Sequence, residues 1–283
     1  MANKLLLKKK LQEFLEEDSA FQDITSEIIS EGEEVKARVI AKSSGYISGL
    51  REIKVLCELL NIEISLLKND GDKISKNDII FELSGNARDI LASERVSLNI
   101  LTRMSAITTS TKDFLNAVKK LKKKTIIACT RKTTPGFRIF EKRAVKLGGG
   151  DTHRFGLDDM VLIKDTHRKY YAGDIKKILK KSQQLASFSK KIEIEVENVE
   201  DAIIAAKNGA DIIMLDNMNP SEIEEAIKKL ETNNLRKKIM LEASGGINRD
   251  NIEEYIKSGV DIISLGVLTQ FPHKQIDLSL EFD

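Results

Sequence analysis

The chain has 283 residues, of which 41% are hydrophobic and 32% are charged, and this composition excludes an intrinsically disordered chain. Its 46 Lys and Arg residues nearly balance its 44 Asp and Glu residues, and the formal net charge of +2 argues against a dedicated nucleic-acid binder. The sequence contains no apolar run of the roughly 18 residues that cross a bilayer, and Cys57 and Cys129 are too few and too far apart for a disulfide framework. We therefore expect a soluble cytoplasmic protein that binds neither nucleic acid nor membrane.

The first hundred residues predict helices and strands without a repeated unit. Lys4–Glu17 has the spacing of an amphipathic helix, and a longer helical segment runs from Ala87 to Val118. Three short apolar runs between them, separated by glycine-containing turns, predict strands: Val35–Ala41, Ile62–Leu67 and Ile79–Leu83. We place a domain boundary near Ala106, and the one residue of evident chemical interest before it is Arg103.

The remaining two-thirds of the chain alternates between apolar runs and amphipathic segments. The runs are rich in Ile and Val, as buried parallel strands are: Thr125–Ala128, Met160–Ile163, Ile192–Val196, Asp211–Leu215, Lys238–Leu241 and Asp261–Leu265. One helix–glycine–strand unit nearly repeats, since Lys207–Leu215 parallels Lys257–Leu265. Ser221 with Glu224 has the pattern of a helix capping box. Repeated units of this type predict a doubly wound sheet or an α/β barrel.

Polar residues at the ends of these runs favour the barrel, because the C-terminal ends of barrel strands build one active-site mouth. Five cations follow the first strands: Arg131, Lys132, His153, Arg154 and Lys164. On a nearly neutral protein such a cluster predicts a pocket for an anionic ligand, and the Arg forks suit carboxylate or phosphate. The three glycines Gly148-Gly149-Gly150 would let the backbone approach that ligand.

Carboxylates and a glycine pair follow the later strands. Glu195 and Asp216 stand at strand ends, although Glu193, Glu195 and Glu197 could also form one charged face of a strand. Oxygen ligands of this kind suit Mg²⁺ held partly by substrate phosphates. Ser244-Gly245-Gly246 and Gly266 end the last two strands, where barrels commonly bind a phosphate through backbone N–H groups. The sum is a barrel site for a phosphorylated substrate, Mg²⁺ and a polycarboxylate.

These motifs, in this order, resemble the quinolinate phosphoribosyltransferase family. The resemblance extends from about Ser93 to Leu268, and its motifs are Thr130-Arg131-Lys132-Thr133-Thr134-Pro135-Gly136, Glu141-Lys142 through Gly148-Gly149-Gly150, His153-Arg154, Leu162-Ile163-Lys164-Asp165, Leu215-Asp216-Asn217 and Ala243-Ser244-Gly245-Gly246. It implies an open α/β barrel over 107–270, of the type II phosphoribosyltransferase kind. An N-terminal α/β sandwich over 1–106 would be joined by the tail at 271–283.

The resemblance also implies an activity and a set of site residues. Quinolinate and phosphoribosyl pyrophosphate would react, with Mg²⁺ as cofactor, to give nicotinate mononucleotide, CO₂ and pyrophosphate. Quinolinate would be bound by Arg103, Arg131, His153, Arg154 and Lys164, and phosphoribosyl pyrophosphate by Lys132, Glu195, Asp216, Ser244, Gly245, Gly246 and Gly266. Lys132, Glu195 and Asp216 would be catalytic. Mg²⁺ would be held mainly through substrate phosphates, with Glu195 and Asp216 as candidate protein ligands.

The family also forms homodimers, in which Arg103 would come from the partner subunit, and assembly into a hexamer stays open. At one position the chain departs from the family's usual Lys-Asp-Asn-His: Thr166 replaces the Asn, and this change could alter substrate preference. Three alternatives remain: a phosphoribosyltransferase that uses nicotinate, the paralogous family linked to molybdenum transport, and a non-catalytic barrel that binds phosphates or pyridine carboxylates.

Overall fold

The computed structural model describes residues 3–19 and 23–283, and within these ranges it contains ten α-helices and twelve β-strands. In chain order the helices are α1 (Lys4–Ser19), α2 (Leu50–Leu59), α3 (Ala87–Lys120), α4 (Arg138–Gly148), α5 (Asp165–Tyr170), α6 (Ile175–Leu185), α7 (Val199–Lys207), α8 (Pro220–Thr232), α9 (Ile252–Lys257) and α10 (Val267–Gln270). The strands are β1 (Glu34–Ala41), β2 (Gly45–Tyr46), β3 (Glu63–Leu66), β4 (Lys73–Ile74), β5 (Ile79–Asn86), β6 (Ile126–Cys129), β7 (Val161–Ile163), β8 (Ile192–Val196), β9 (Ile212–Asp216), β10 (Met240–Ser244), β11 (Ile262–Leu265) and β12 (Leu278–Phe282). Among the helices of the described ranges, none has both the length and the apolar character that a membrane crossing requires.

The chain divides into two units, each with its own core. The first comprises 1–111, 133–149 and 271–283, and the second comprises 112–132 and 150–270. The predicted first domain begins at Met1, which lies outside the described residues, as do Ala2 and 20–22. Relative to the predicted limits of 1–106 and 107–270, the main difference is the segment 133–149, which belongs to the first unit.

Ion pairs and one close packing contact explain why 133–149 belongs to the first unit. Arg143 of α4 lies 2.7 Å from Glu52 and 2.6 Å from Asp70, and its side chain is only 11% exposed. At the end of α4, a Cβ on Gly148 would lie 2.6 Å from the Cβ of Thr111, so the absence of a side chain allows α4 to approach α3. Buried charges are stable only when they are paired, and this pairing ties α4 to the strand–helix region of the first unit.

The first unit contains a four-stranded antiparallel sheet in the order β12-β1-β5-β3. The burial of β1 alternates, and its inward-facing Ala37, Val39 and Ala41 are fully buried. This alternation is typical of a sheet with one covered face. The C-terminal strand β12 pairs with β1, with Val39 opposite Leu280, so the tail completes the edge of this sheet.

The second unit contains a six-stranded sheet in the order β6-β11-β10-β9-β8-β7, and each pair of neighbours is parallel. Helices α7, α8 and α9 follow strands β8, β9 and β10 in turn, as the βα units of a barrel do. All five residues of β8 are buried, which is typical of a strand covered on both faces. The sheet confirms the predicted α/β architecture and brings the C-terminal ends of six strands to one side.

The repeat detected in the sequence has a structural basis in two equivalent aspartates. The Asp211 carboxylate accepts a 2.8 Å hydrogen bond from the backbone N–H of Ile192 and pairs with Lys191 at 3.1 Å. The Asp261 carboxylate likewise accepts from the N–H of Leu241 at 2.8 Å and pairs with Arg236. Each Asp therefore satisfies a backbone donor at the start of the neighbouring strand, which explains why both copies of the repeat carry Asp at this place.

The capping box predicted from Ser221 and Glu224 is wrong by two residues. The N-cap of α8 is Asn219, whose side chain accepts from the N–H of Glu222, while the Glu222 carboxylate accepts from the N–H of Asn219 at 2.7 Å. Pro220 occupies the first helical position, where its missing N–H costs nothing, so the helix begins earlier than the serine suggests.

Candidate active site

A cavity of about 960 Å³ lies at the C-terminal ends of the strands of the second unit. All but one of the predicted site residues line it: Arg131, Lys132, His153, Arg154, Lys164, Glu195, Asp216, Ser244, Gly245, Gly246 and Gly266. They come from six strand ends that are distant in sequence, and parallel pairing brings those ends together. The predicted convergence of cations, carboxylates and a glycine loop is therefore present in one cavity.

Two guanidinium groups form the cationic part of the cavity. Arg154 is half-buried, and burial followed by the charge of Arg131 lowers the pKa of Arg154. The carboxylates of Glu193 and Glu195 act in the opposite direction. Two neighbouring Arg forks in a partly desolvated site form strong, bidentate hydrogen bonds with a carboxylate ligand.

Lys164 and Glu195 form an ion pair inside the cavity. The Lys164 Nζ lies 2.6 Å from the Glu195 Oε1, and the Glu195 side chain is 11% exposed while that of Lys164 is 46% exposed. Glu195 also has its main-chain carbonyl held by Arg168, whose Nη1 donates to it at 3.2 Å. Arg168 in turn pairs with Asp201, so the α5 and α7 helices together fix the end of β8.

His153 is held between a backbone donor and a buried carboxylate. The N–H of Arg154 donates to His153 Nδ1 at 2.8 Å, and His153 Nε2 lies 3.0 Å from the Glu242 Oε2. Because Nδ1 accepts, the ring proton lies on Nε2 and points to Glu242. The residue has a φ of 50°, an uncommon conformation for a non-glycine side chain. His153 therefore lines the cavity with both ring nitrogens held by hydrogen bonds.

Glu193 completes a buried cluster with His153 and Glu242. The Glu193 Oε2 lies 3.5 Å from His153 Nε2, and both glutamates are fully buried. Burial, and then the charge of Glu242, raise the pKa of Glu193 to about 9. Two adjacent buried carboxyl groups do not both ionise, so the pair holds one proton at neutral pH. The alternative of an exposed charged strand face is therefore wrong for Glu193 and Glu195.

The nitrogen and oxygen atoms of His153, Glu193 and Glu242 lie within 4.8 Å of one another, which is close enough to surround a metal ion. The hydrogen bonding opposes that role. A metal ion would need the lone pair of His153 Nε2. Because the backbone N–H of Arg154 donates to Nδ1, the ring proton lies on Nε2 and that lone pair is not available. The cluster is better described as a His153–Glu242 hydrogen bond at the cavity wall with the buried Glu193 beside it.

Asp216 ends β9 and lines the same cavity. Burial, and then the negative charge of Glu195, raise the pKa of Asp216, while Lys164 and the amide of Asn217 oppose the rise. Glu195 and Asp216 are thus close enough to repel each other, and a divalent cation between them would relieve this repulsion. The arrangement suits an Mg²⁺ complex on the sugar side of a substrate.

Lys132 lies next to Gly266, the residue that follows β11. A Cβ on Gly266 would be 3.1 Å from the Lys132 Cδ, so a larger residue there would displace the lysine. The Lys132 main-chain carbonyl accepts a 2.6 Å hydrogen bond from the hydroxyl of Thr269, which is fully buried. These contacts fix the direction in which the lysine leaves the backbone.

The glycine loop after β10 has the backbone geometry of an anion-binding turn. Gly245 and Gly246 have φ values of 96° and 63°, a region that side chains rarely occupy. Consecutive glycines in such conformations expose N–H groups to a phosphate. A side chain on Gly245 would also collide with Asn217, since its Cβ would lie 2.9 Å from that backbone nitrogen.

Arg103 is the predicted site residue that does not line this cavity. It belongs to α3 in the first unit, where its Nε and Nη2 donate to Glu141 Oε1 at 3.0 and 2.8 Å. The fully buried Glu141 also accepts from the N–H and hydroxyl of Thr134, at 3.1 and 3.0 Å. The role of Arg103 across a subunit interface stays a prediction.

Two further sequence features have a different place from the one expected. Gly148 and Gly149 end α4, by close packing on Thr111 and by a left-handed cap at φ 93°, so they serve helix packing instead of ligand approach. Thr166 does not line the cavity but a second groove beside β7, with Tyr170 and Tyr171. The substitution is therefore not in position to contact a substrate in the cavity.

Sequence reasoning did not assign Glu242, Asn217 or Thr269 to the site. Glu242 follows a run of apolar residues. It lies two residues before Ser244 on β10, so both side chains face the same side of the strand, and this spacing is the signal that could have placed Glu242 inside the barrel. Asn217 stands in a quoted motif, but only the structure places its amide between two loops. Thr269 has no sequence signal, because its contact with Lys132 joins residues 137 positions apart.

Similarity to known proteins agrees with this geometry. Residues 107–281 match the family model of the quinolinate phosphoribosyl transferase C-terminal domain, and residues 23–105 match that of the N-terminal domain. The chain is 43% identical over 272 residues to a probable carboxylating nicotinate-nucleotide pyrophosphorylase of Methanothermobacter thermautotrophicus, covering 96% of this chain and 97% of that protein. A probable enzyme of the same name from Bacillus subtilis is 41% identical over 99% of this chain and 94% of its own length. The solved nicotinate-nucleotide pyrophosphorylase of Francisella tularensis superposes with a TM-score of 0.91 at 37% identity, covering 100% of this chain and 98% of that one.

Proposed function

Because the chain belongs to the quinolinate phosphoribosyl transferase family, we propose that it is a carboxylating nicotinate-nucleotide pyrophosphorylase. It transfers the phosphoribosyl group of phosphoribosyl pyrophosphate to quinolinate, and it releases CO₂ and pyrophosphate. The product, nicotinate mononucleotide, is a precursor in NAD biosynthesis.

One observation of the structure supports this reaction above all. A single cavity contains Arg131, Arg154 and Lys164 together with the carboxylates of Glu195 and Asp216 and a glycine loop. The cations suit the two carboxylates of quinolinate, and the carboxylates with the loop suit the hydroxyl groups and phosphate of a ribose phosphate. The alternative of a non-catalytic anion binder gives no use for Glu195 and Asp216.

The proposed reaction begins when the pyridine nitrogen attacks the ribose C1 as the bond from C1 to pyrophosphate breaks. Positive charge develops on the ribose in the transition state, and Glu195 and Asp216 lie where they would orient the hydroxyls and stabilise that charge. Lys132, which lies over Gly266, would bind the departing pyrophosphate. The positive ring nitrogen then draws the electron pair of the neighbouring C–C bond as CO₂ leaves, and a proton from water replaces it at that carbon.

Mg²⁺ fits this site, because burial and then the nearby charge of Glu195 raise the pKa of Asp216, and a divalent cation would offset both effects. We propose that the ion is held mainly by the substrate phosphates, with these two residues beside it. When bound, it would neutralise the charge of the pyrophosphate group.

The proposal includes a homodimer in which Arg103 of one subunit binds quinolinate in the other, and it leaves a hexamer open. Cys57 and Cys129 are buried and form no disulfide, which is compatible with a reducing compartment, and we propose that the reaction takes place in the cytoplasm. The proposal has no role for nucleic acid or a membrane.

The test of the function is substrate choice. The protein is mixed with Mg²⁺, phosphoribosyl pyrophosphate and either quinolinate or nicotinate, and release of pyrophosphate is followed. We expect release with quinolinate only. Nicotinate has one carboxylate, whereas the cations of the cavity suit the two carboxylates of quinolinate. A matched Asp216→Asn variant, which keeps the side-chain shape, should lose most of that activity. Release with nicotinate alone would contradict the proposal.

A further inference from the structure

Asn217 joins two parts of the cavity that the proposed reaction uses separately. It directly follows Asp216 at the end of β9, and it has a left-handed backbone with a φ of 55°. Asparagine adopts this conformation more readily than most other residues with a side chain. The unusual backbone turns its amide group back towards the sheet.

The side-chain amide and the backbone N–H of Asn217 donate to different acceptors. Its side-chain Nδ2 donates to the Asp216 Oδ2 at 3.0 Å, and its backbone N–H donates to the Ser244 carbonyl at 2.9 Å. Asp216 and Ser244 are direct partners in the pairing of β9 with β10. Asn217 therefore continues the contact between these strands beyond the end of the sheet.

The side chain of Asn217 also lies against the glycine loop. A Cβ on Gly245 would be 2.7 Å from the Asn217 Cγ and closer still to its Oδ1. The amide thus occupies the space beside the Gly245 Cα, and its nitrogen and oxygen are oriented by different neighbours. Because an ionised Asp only accepts hydrogen bonds, the Asp216 contact fixes which end of the amide faces each loop.

We propose that Asn217 is a positioning residue for phosphoribosyl pyrophosphate: it holds the Asp216 carboxylate and the Ser244-Gly245-Gly246 loop in one arrangement. The ligand this suits carries ribose hydroxyls and a phosphate at a fixed separation. The inference rests on the proposed function, and it adds that one residue couples the ribose end of the site to the phosphate end. The affinity for quinolinate, which we assign to Arg131, Arg154 and Lys164, does not depend on Asn217.

Two variants separate the amide from the backbone. Asn217→Gly keeps the left-handed conformation and removes the side chain, whereas Asn217→Asp keeps the shape but replaces the donor with a second negative charge beside Asp216. The matched control is Asn234→Gly, because Asn234 is an exposed Asn with a similar φ of 58° that does not line the cavity. Thermal melting of all three verifies that the fold is intact.

For Asn217→Gly, we expect the KM for phosphoribosyl pyrophosphate to rise about 10-fold, since a hydrogen bond to a charged group is lost. The KM for quinolinate should change less than about 2-fold, and Asn217→Asp should show the larger rise. Calorimetry with phosphoribosyl pyrophosphate and Mg²⁺ alone should show the same loss of affinity. Equal rises in both KM values, or unchanged kinetics in both variants, would overturn the inference.

Different results would overturn the proposed reaction and the proposed role of Asn217. If the unmodified protein binds phosphoribosyl pyrophosphate but does not turn over quinolinate, the proposed reaction is wrong, and the calorimetric comparison still decides the role of Asn217. If the unmodified protein binds no phosphoribosyl pyrophosphate, both are overturned. If Asn217→Gly melts early, the isosteric Asn217→Asp variant decides the question.

Discussion

Arg131 is the residue to which we assign the most direct role in the proposed binding of a dicarboxylate. It lines the cavity with Arg154, whose pKa is lowered by burial first and then by the charge of Arg131. Two neighbouring guanidinium groups suit a ligand with more than one negative charge.

The Arg131→Ala variant should therefore lose quinolinate turnover. Loss of a charged hydrogen bond corresponds to about 1.5–3 kcal/mol, so kcat/KM for quinolinate should fall roughly 10–100-fold. Steady-state kinetics at saturating phosphoribosyl pyrophosphate measure this, with the exposed Arg249→Ala as control. Near-normal kcat/KM in Arg131→Ala would remove this residue from the carboxylate-binding set.

The buried pair of Glu193 and Glu242 has a consequence for stability. The folded-state pKa of Glu193 is raised to about 9 from an ordinary value of 4.5, so the folded protein retains a proton that the unfolded chain releases. The free energy of unfolding should consequently fall as the pH rises from about 5 to 9. Below the unfolded-state pKa this contribution is fully present.

A Glu193→Gln variant tests this directly, because the amide resembles the protonated acid. Urea unfolding at several pH values across this window should show a smaller decline of stability for Glu193→Gln than for the unmodified protein. The exposed Glu224→Gln is the control and should behave like the unmodified protein. Parallel pH profiles for all three proteins would show that Glu193 does not titrate as inferred.

The convergence of the candidate residues on one cavity was predictable from sequence, but their hydrogen-bond partners were not. Arg131, Lys164 and Asp216 could be found because strand-end positions of parallel strands converge. His153 was predicted as one of the pocket cations, and only the structure shows that a backbone N–H and Glu242 hold its ring. Such partners are brought together by tertiary contacts, such as that between positions 153 and 242, which no local pattern connects.

At the scale of elements, strands were predicted well and helix ends less well. β8 has the predicted limits Ile192–Val196, and α3 extends only two residues beyond the predicted Val118. The short strands β2 and β4 and the C-terminal β12 were missed, since two-residue strands carry no periodic pattern and β12 depends on its pairing with β1. The cap of α8 was misplaced because several residues there are good N-caps and only one begins the helix.

Packing of α4 on α3 through Gly148 leads to a prediction at the same scale. A Cβ there would lie 2.6 Å from Thr111 Cβ and 3.0 Å from the Thr108 carbonyl, so Gly148→Ala must push the helices apart. We expect a loss of about 1–3 kcal/mol of stability, visible as a lower Tm. Gly85→Ala is the matched control, because its Cβ would meet Ile62 at an ordinary 3.5 Å. A Gly148→Ala protein as stable as this control would contradict the packing account.

At the scale of the whole molecule, the proposed dimer makes each site depend on two chains. Lys132 lines the cavity of the second unit, whereas Arg103 belongs to the first unit. If Arg103 acts across the interface, subunits that lack one or the other residue should complement each other.

Mixing inactive Arg103→Ala and Lys132→Ala proteins, with exchange of subunits, should therefore restore activity. Half of the dimers in an equal mixture are hybrids with one intact site each, so about a quarter of the unmodified activity should return. Light scattering of the mixture confirms that dimers are present. No recovery on mixing would mean that Arg103 acts within its own subunit or does not act on quinolinate.

In the proposed reaction, one molecule of quinolinate loses the carboxylate next to its nitrogen for each phosphoribosyl group transferred. Quinolinate labelled with ¹³C in that carboxylate tests this stoichiometry when CO₂, pyrophosphate and nicotinate mononucleotide are followed together. All of the label should leave as CO₂, in a one-to-one ratio to pyrophosphate. Label retained in the nucleotide, or CO₂ released without pyrophosphate, would show that the protein does not catalyse this reaction.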